Sequence, residues 1–270
     1  MERNAEEIKK FVKKRYGRLA KRKSRSCCAP EAMVSSSCCS TGAASCRPQT
    51  LAKRLYSSEE LEKLPKDVAD ISLGCGNPTA IAELSEGEVV LDLGSGGGLD
   101  CFLAAQRVGA QGRVIGLDMT PEMIQLAREN AQKIGVSNVE FRLGEMEHMP
   151  VEDNSVNVII SNCVINLSPD KDAVFREAFR VLKPGGRLCI SDIVLLEELP
   201  KEIKESPEQW AGCIAGALNE NIYLDKIRAA GFVKVTVDRN PVTFCAENDV
   251  PKLSGKIASI KMKAFKPSKL

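Results

Sequence analysis

The sequence predicts a doubly wound α/β fold: a mostly parallel seven-stranded sheet with a terminal antiparallel hairpin and an N-terminal Cys-rich extension. Three observations point there. From about residue 86, short apolar runs alternate with amphipathic stretches at helical spacing, the pattern of a parallel sheet covered on both faces. The first run empties into a glycine-rich turn that opens a helix. Acidic residues stand at the ends of three successive runs: Asp92, Asp118, and the pair Glu145 and Glu147.

Taken in order, VVLDLG (89–94) is a short strand ending at that turn, and LDCFLAAQRVG (99–109) is a helix closed by a glycine C-cap. RVIGLD (113–118) is the second strand. PEMIQLARENAQKIG (121–135) is a helix with proline in its first turn and glycine at its end. NVEFRLG (138–144) and SVNVIISNCV (155–164) read as strands, DKDAVFREAFRVLKPGG (170–186) as a helix, and RLCISDIVL (187–195) as a strand. FVKVTVDRNPVTFCAE (232–247) reads as the terminal hairpin. The core domain is therefore expected over 51–247, with a helical insertion near 199–222 and a C-terminal tail over 248–270. Upstream, a basic helix is expected from about Ala5 to Lys21, with Ile8, Phe11, Val12, Tyr16 and Leu19 near helical spacing. It leads into a Cys-rich linker over 26–50 that is too poor in large apolar residues to form a core.

Composition narrows the function classes. A net charge of +2 gives no global reason for a nucleic-acid or membrane partner. No apolar run approaches the roughly 20 residues that span a bilayer, and the N-terminal stretch lacks a secretory signal, so a cytoplasmic protein is expected. The chain holds 11 cysteines and a single histidine, His148. An odd count in a long chain disfavours a disulfide framework and favours reduced thiols in redox or metal chemistry. So few histidines disfavour Cys/His zinc sites and histidine acid–base catalysis. Cys101, Cys189 and Cys245, inside predicted helix and strands, read as packing residues. Trp210 and Tyr223 read as core, and His148 as a surface loop residue.

The stretch Asp92-Leu93-Gly94-Ser95-Gly96-Gly97-Gly98 lets backbone approach a ligand closely at a helix N-terminus. The third glycine of a dinucleotide fingerprint is missing, since Leu99 stands near its place. Asp92 is suited to ordering the loop or receiving a cationic amino group, and Asp118 to accepting the two hydroxyls of a ribose. The Gly144–Glu147 loop offers an apolar face and carboxylates for an adenine ring. This arrangement resembles the class I methyltransferases that use S-adenosylmethionine.

The resemblance narrows further with SLGCGNP (72–78), LDLGSGGGLDCFLA (91–104), LDMT (117–120), SNCVINLSPDK (161–171), RVLKPGG (180–186), SDI (191–193) and CIAGAL (213–218). Together with VKKRYG (12–17), these segments look like the arsenite methyltransferase family. That resemblance implies As(III) ligation or processing at Cys75, Cys163 and Cys213. It implies a further functional cysteine in the N-terminal segment, where Cys27 and Cys28 both stand and Cys28 is the candidate. Implied cofactor contacts fall on Asp92, Gly94, Ser95, Gly96, Asp118, Met119, Met146, Glu147 and Asn162, with Glu145 competing for the adenine amino group. The implied substrate is arsenite or a thiol conjugate of As(III), and the implied reductant is thioredoxin or glutathione. Cys38, Cys39 and Cys46 are candidates for capturing arsenic or forming disulfides. Soft thiolates suit a thiophilic centre, and a trigonal As(III) site leaves a lone pair free to attack a methyl group without a general base. Two alternatives remain: the same fold acting on a small organic acceptor, and a thiol-rich metalloid-binding protein without catalysis.

Overall fold

The computed structural model describes residues 4–21, 55–62, 64, 68, 76–241, 253 and 255–269. Its strands are β1 (Val89–Leu93), β2 (Arg113–Asp118), β3 (Val139–Leu143), β4 (Val156–Asn162), β5 (Leu182–Leu195), β6 (Val233–Pro241) and β7 (Ile257–Phe265). The described helices are α1 (Ala5–Lys21), α2 (Ser58–Glu62), α3 (Pro78–Ala82), α4 (Leu99–Val108), α5 (Pro121–Ile134), α6 (Lys171–Val181), α7 (Lys201–Lys204), α8 (Pro207–Trp210) and α9 (Glu220–Ala229). A 3₁₀ turn, Ile165–Leu167, follows β4.

The strands form one sheet in the order β3-β2-β1-β4-β5-β7-β6. Pairing is parallel from β3 through β5 and antiparallel for β5/β7 and β6/β7. Side-chain alternation splits the core into two layers. Leu91, Leu93, Ile115, Leu117, Ile159 and Ile190 pack on the face that also holds Phe175 of α6 and Tyr223 of α9. Val90, Val114, Val158, Ile160 and Cys189 pack on the opposite face with Phe102 of α4 and Ile124 of α5. The strand order reverses direction between β1 and β4, so a crevice opens past their carboxyl ends.

Sequence and structure differ at the C-terminus. A terminal antiparallel hairpin is present, but its second strand is β7, which lies within the stretch read as a tail. β7 inserts between β5 and β6, pairing from Arg187↔Phe265 to Leu195↔Ile257. The cause is period-two patterning: Ala258, Ile260, Met262 and Ala264 are buried, while Ser259, Lys261, Lys263 and Phe265 are only partly covered. The 182–186 stretch, read as the end of a helix, belongs to β5.

A third apolar cluster joins Ile8 and Val12 of α1 to Cys163, Leu167, Leu199, Ile203 and Cys213. The basic helix thus docks its apolar stripe at the mouth of the crevice. Among the described residues, no helix is long and apolar enough to cross a membrane.

Candidate active site

The crevice is a cleft holding about 970 Å³ of empty space, its open mouth included. Its floor is the turn after β1. Gly94 and Gly98 sit at φ 69° and 94°, a region that favours glycine. A Cβ on Gly94 would stand 2.3 Å from Val164, and one on Gly98 2.7 Å from Phe102, so both positions need glycine twice over. Asp118, at the end of β2, accepts hydrogen bonds from the backbone N–H groups of Gly96 (3.0 Å) and Thr120 (2.8 Å). Burial raises its carboxyl above the usual range. Ser95 Oγ is buried with no partner among the described residues. A ligand laid along this floor would supply one.

Gly94, Ser95, Gly96, Asp118, Met119, Met146 and Asn162 line the cleft. Asp92 does not. It is buried beneath the floor, accepts a hydrogen bond from Cys101 Sγ at 3.2 Å, and is held well above the usual carboxylate range by burial. The cleft wall instead carries Asp100, in the first turn of α4. Asp100 accepts hydrogen bonds from Tyr56 Oη (2.8 Å) and Asn162 Nδ2 (3.1 Å), and burial pushes its carboxyl up to about 6. Asn162 also donates to Gly76 O (2.8 Å) and accepts from Gly76 N (3.2 Å). Asn77 caps α3, accepting from Ala80 N at 3.0 Å, and Pro78 fills the first helical position.

The two acids after β3 are engaged elsewhere. Lys9 Nζ reaches Glu145 at 2.7 Å and Glu147 at 3.0 Å, and Lys13 Nζ reaches Glu145 at 2.9 Å. Glu147 also accepts from Ser168 Oγ at 2.7 Å. Neither carboxylate lines the cleft, although Met146 between them does. α1 itself contributes Val12 and Tyr16 to the lining.

Cys163 lines the cleft, and Cys213 packs against it. Cys163 follows directly on β4 and takes φ 59°, and Cys213 takes φ 65°. Left-handed backbone is uncommon for side chains other than glycine and tends to gather at functional sites. The two residues meet: Cys213 Sγ lies 2.6 Å from the carbonyl oxygen of Cys163. Both are buried thiols, at 7% and 5% exposure. Burial raises the Tyr16 hydroxyl well above its ordinary range, and the nearby Cys213 and Cys163 add to the rise. Lys171 is buried beneath them. Its ammonium donates to Ser168 O at 2.9 Å and lies 5.9 Å from the Trp210 ring centroid. Burial pulls it down to about 8 against the opposing pull of Asp192 and Cys213. Asp192, pushed up to about 7 by burial, accepts from Asn166 Nδ2 (2.8 Å), Ile193 N (2.9 Å) and Tyr223 Oη (3.1 Å). This ties the turn after Cys163 to β5.

Cys28 and Cys75 lie outside the described residues, as do Cys27, Cys38, Cys39, Cys46 and Cys245. Cys101 and Cys189 are fully buried in the sheet–helix layer, the setting expected of packing residues. Sequence reasoning overlooked Asp100, Tyr56, Tyr16 and Lys171. Asp100 had a local signal, a carboxylate two residues past the last glycine of the turn. Lys171 had another, a cation in the first turn of a helix, where the dipole disfavours it. Tyr56 had none.

The orphaned Ser95 hydroxyl, the glycine cradle and the carboxylates at the ends of β2 and the start of α4 fit S-adenosylmethionine, whose adenosine and amino-acid halves need such partners. A model of the methyltransferase domain matches residues 84–231. The chain is 43% identical to the arsenite methyltransferase of Halobacterium salinarum over 274 aligned residues, covering 99% of this chain and 69% of that protein. It is 36% identical to the mouse arsenite methyltransferase, covering 80% of this chain but 55% of the relative. The crystal structure of an arsenic(III) S-adenosylmethionine methyltransferase from Chlamydomonas reinhardtii superposes with a TM-score of 0.66 at 36% identity, covering 78% of this chain and 73% of that one. The chain thus spans little more than half of some curated relatives it matches. Its fold, its cofactor cleft and these likenesses together place the chain in the arsenite methyltransferase family of S-adenosylmethionine-dependent enzymes.

Proposed function

We propose that this chain methylates As(III) held by cysteine thiolates at the cleft. The observation that carries the reading is the pair Cys163 and Cys213, both in left-handed backbone and in contact at the crevice edge. Cys75 completes the ligand set. Its inclusion is supported by its sequence neighbour Gly76, which is bonded to Asn162, the residue before Cys163. Three sulfurs hold As(III) as a trigonal pyramid, so the lone pair points away from them. When bound, the cofactor supplies an electrophilic methyl group on a sulfonium centre.

Gly94, Ser95 and Gly96 would hold the cofactor's amino-acid half by backbone and hydroxyl contacts, and Asp100 would receive its ammonium. Asp118 would take the ribose hydroxyls, while Met119 and Met146 would flank the adenine. Asn162 fixes the register between the two subsites, since it bonds both Asp100 and Gly76. Asp92 supports the floor from beneath. Positioning the two reactants in line is the main task of these residues, because the acceptor is an unprotonated lone pair. Accepting the sulfonium methyl as CH₃⁺ would form an As–C bond at the expense of the S–CH₃ bond and leave arsenic pentavalent, two electrons short of the trivalent state. The Cys28 thiolate would then attack the arsenic-bound Cys75 sulfur: an S–S bond forms, the As–S bond breaks with its electron pair returning arsenic to the trivalent state, and thioredoxin or glutathione reduces the disulfide.

The test is transfer of labelled methyl from S-adenosylmethionine to arsenite under thiol reductant, for wild type beside Cys163→Ser and Cys213→Ser. Label in arsenicals with wild type, and loss of at least a hundredfold in each variant, is expected. A wild type that binds the cofactor yet leaves arsenite unlabelled would sink the arsenic reading and move the acceptor to an organic molecule.

A further inference from the structure

The charge cluster between α1 and the loop after β3 has no part in the chemistry above. Lys9 bridges both carboxylates of that loop, and Lys13, one helical turn on, adds a second bond to Glu145. Val12 and Tyr16 sit on the adjoining face of the same helix and point into the cleft. The opposite wall is gripped by backbone acceptors: Arg15 donates to Glu208 O at 2.9 Å, and Tyr16 Oη donates to Ala211 O at 3.2 Å. α1 therefore spans the crevice, fastened by ion pairs on the cofactor side and by carbonyls on the side that carries Cys213.

We propose that α1 is a strap closed over the cofactor cleft, and that Lys9 is the positioning residue whose bridge to Glu145 and Glu147 sets how fast the cofactor enters and leaves. This rests on the reading that S-adenosylmethionine occupies the cleft. Three features argue for a latch rather than a decorative surface pair. Lys9 and Glu147 are only 21% and 13% exposed, which strengthens their pair, while Glu145, at 37%, keeps the bridge within reach of salt. Burial pulls the Lys9 ammonium down, yet its hydrogen bonds to Glu145 and Glu147 leave it raised overall, so the charge is kept. Lys21–Glu122, at the other end of α1, is far more exposed, with Lys21 at 70%, so the hold concentrates at Lys9. Buried Ile8 and Val12 seat the strap as well, so the ion pairs set the rate of an opening that turnover requires: the spent cofactor must leave after every transfer.

The chain's single tryptophan, Trp210, packs in the same apolar cluster as Ile8 and Val12 and reports the seating of α1. The experiment is stopped-flow release of S-adenosylhomocysteine from the full chain, followed by Trp210 fluorescence, for wild type, Lys9→Gln and Lys9→Arg at 20 and 300 mM salt. Release about fivefold faster in Lys9→Gln at low salt is expected, with Lys9→Arg close to wild type. Wild-type release should quicken with salt, and Lys9→Gln should respond far less. A purely structural lysine would lower Tm without changing the salt response. Equal release rates and equal salt responses in wild type and Lys9→Gln would overturn the strap and leave the cofactor site standing. Failure of the wild type to bind S-adenosylhomocysteine at all would overturn both.

Discussion

Asp100 shows how one buried group ties the cofactor site to pH. Its carboxyl rises from the ordinary carboxylate value to about 6, because burial penalises the charge more than the Asn162 and Tyr56 hydrogen bonds relieve it. A raised carboxylate favours its protonated form, so the ionised acceptor for an ammonium is present above about pH 6 and is lost as pH falls below it. Affinity for S-adenosylhomocysteine, measured by calorimetry, should therefore fall as pH drops from 7 to 5. In Asp100→Asn it should be weaker by about 10- to 100-fold at pH 7.5, the worth of a hydrogen bond to a charged group, and should lose that inflection. An unchanged pH profile in the variant would take the ammonium away from Asp100. At Cys163 and Cys213 the residue-scale question is backbone strain. Both hold a conformation that costs about 1 kcal/mol or more, which the packing of their cluster must offset.

At the scale of elements, the substrate end depends on how closely the segment carrying Cys213 approaches the turn after Cys163. Gly216 marks the contact: a Cβ there would stand 2.1 Å from the carbonyl oxygen of Asn166 and 3.1 Å from Trp210. The first of these is backbone and cannot swing aside. Gly216→Ala should cost about 1–3 kcal/mol and lower Tm by several degrees. It should also weaken arsenite binding more than cofactor binding, because the displacement falls on the cysteine side. Equal losses at both subsites would show that the two halves of the cleft move as one. Helix α1 belongs to this scale too. Its sequence reads as a solvated basic helix with one apolar stripe, and that stripe does dock. What no helical wheel reveals is that its lysines take the carboxylates of a loop more than 130 residues away.

For the whole molecule, the sheet order makes the C-terminus structural. β7 lies between β5 and β6, so the chain closes its own sheet only after residues 257–265 are made. Removing them would leave β5 without nine register partners and strand β6 alone. A chain ending at Lys256 should give no cooperative thermal transition by circular dichroism and should collect as insoluble protein, through the exposed edge of β5. A soluble, cooperatively folding truncation would mean that β7 is dispensable. The crevice is likewise a property of the whole. It exists because the strand order reverses between β1 and β4, which brings Gly94 and Cys163 to one edge from positions far apart in the chain.

Read by itself, the sequence determined the alternation of strands and helices from Val89 to Leu195, the glycine turn that floors the cleft, and the family. These are local signals: hydrophobic period, caps and turn chemistry are written within a dozen residues. It also singled out Cys163 and Cys213, through the resemblance of SNCVINL and CIAGAL to the family's motifs, with which soft-donor chemistry agrees. The tertiary structure alone decided that Asp100 rather than Asp92 reaches the cleft wall, that Glu145 and Glu147 hold lysines instead of facing the cofactor space, and that the last strand lies inside the sheet. Each of these depends on which element becomes whose neighbour. A carboxylate's partner is set by the fold's long-range pairing, and a helix or strand pattern is blind to that.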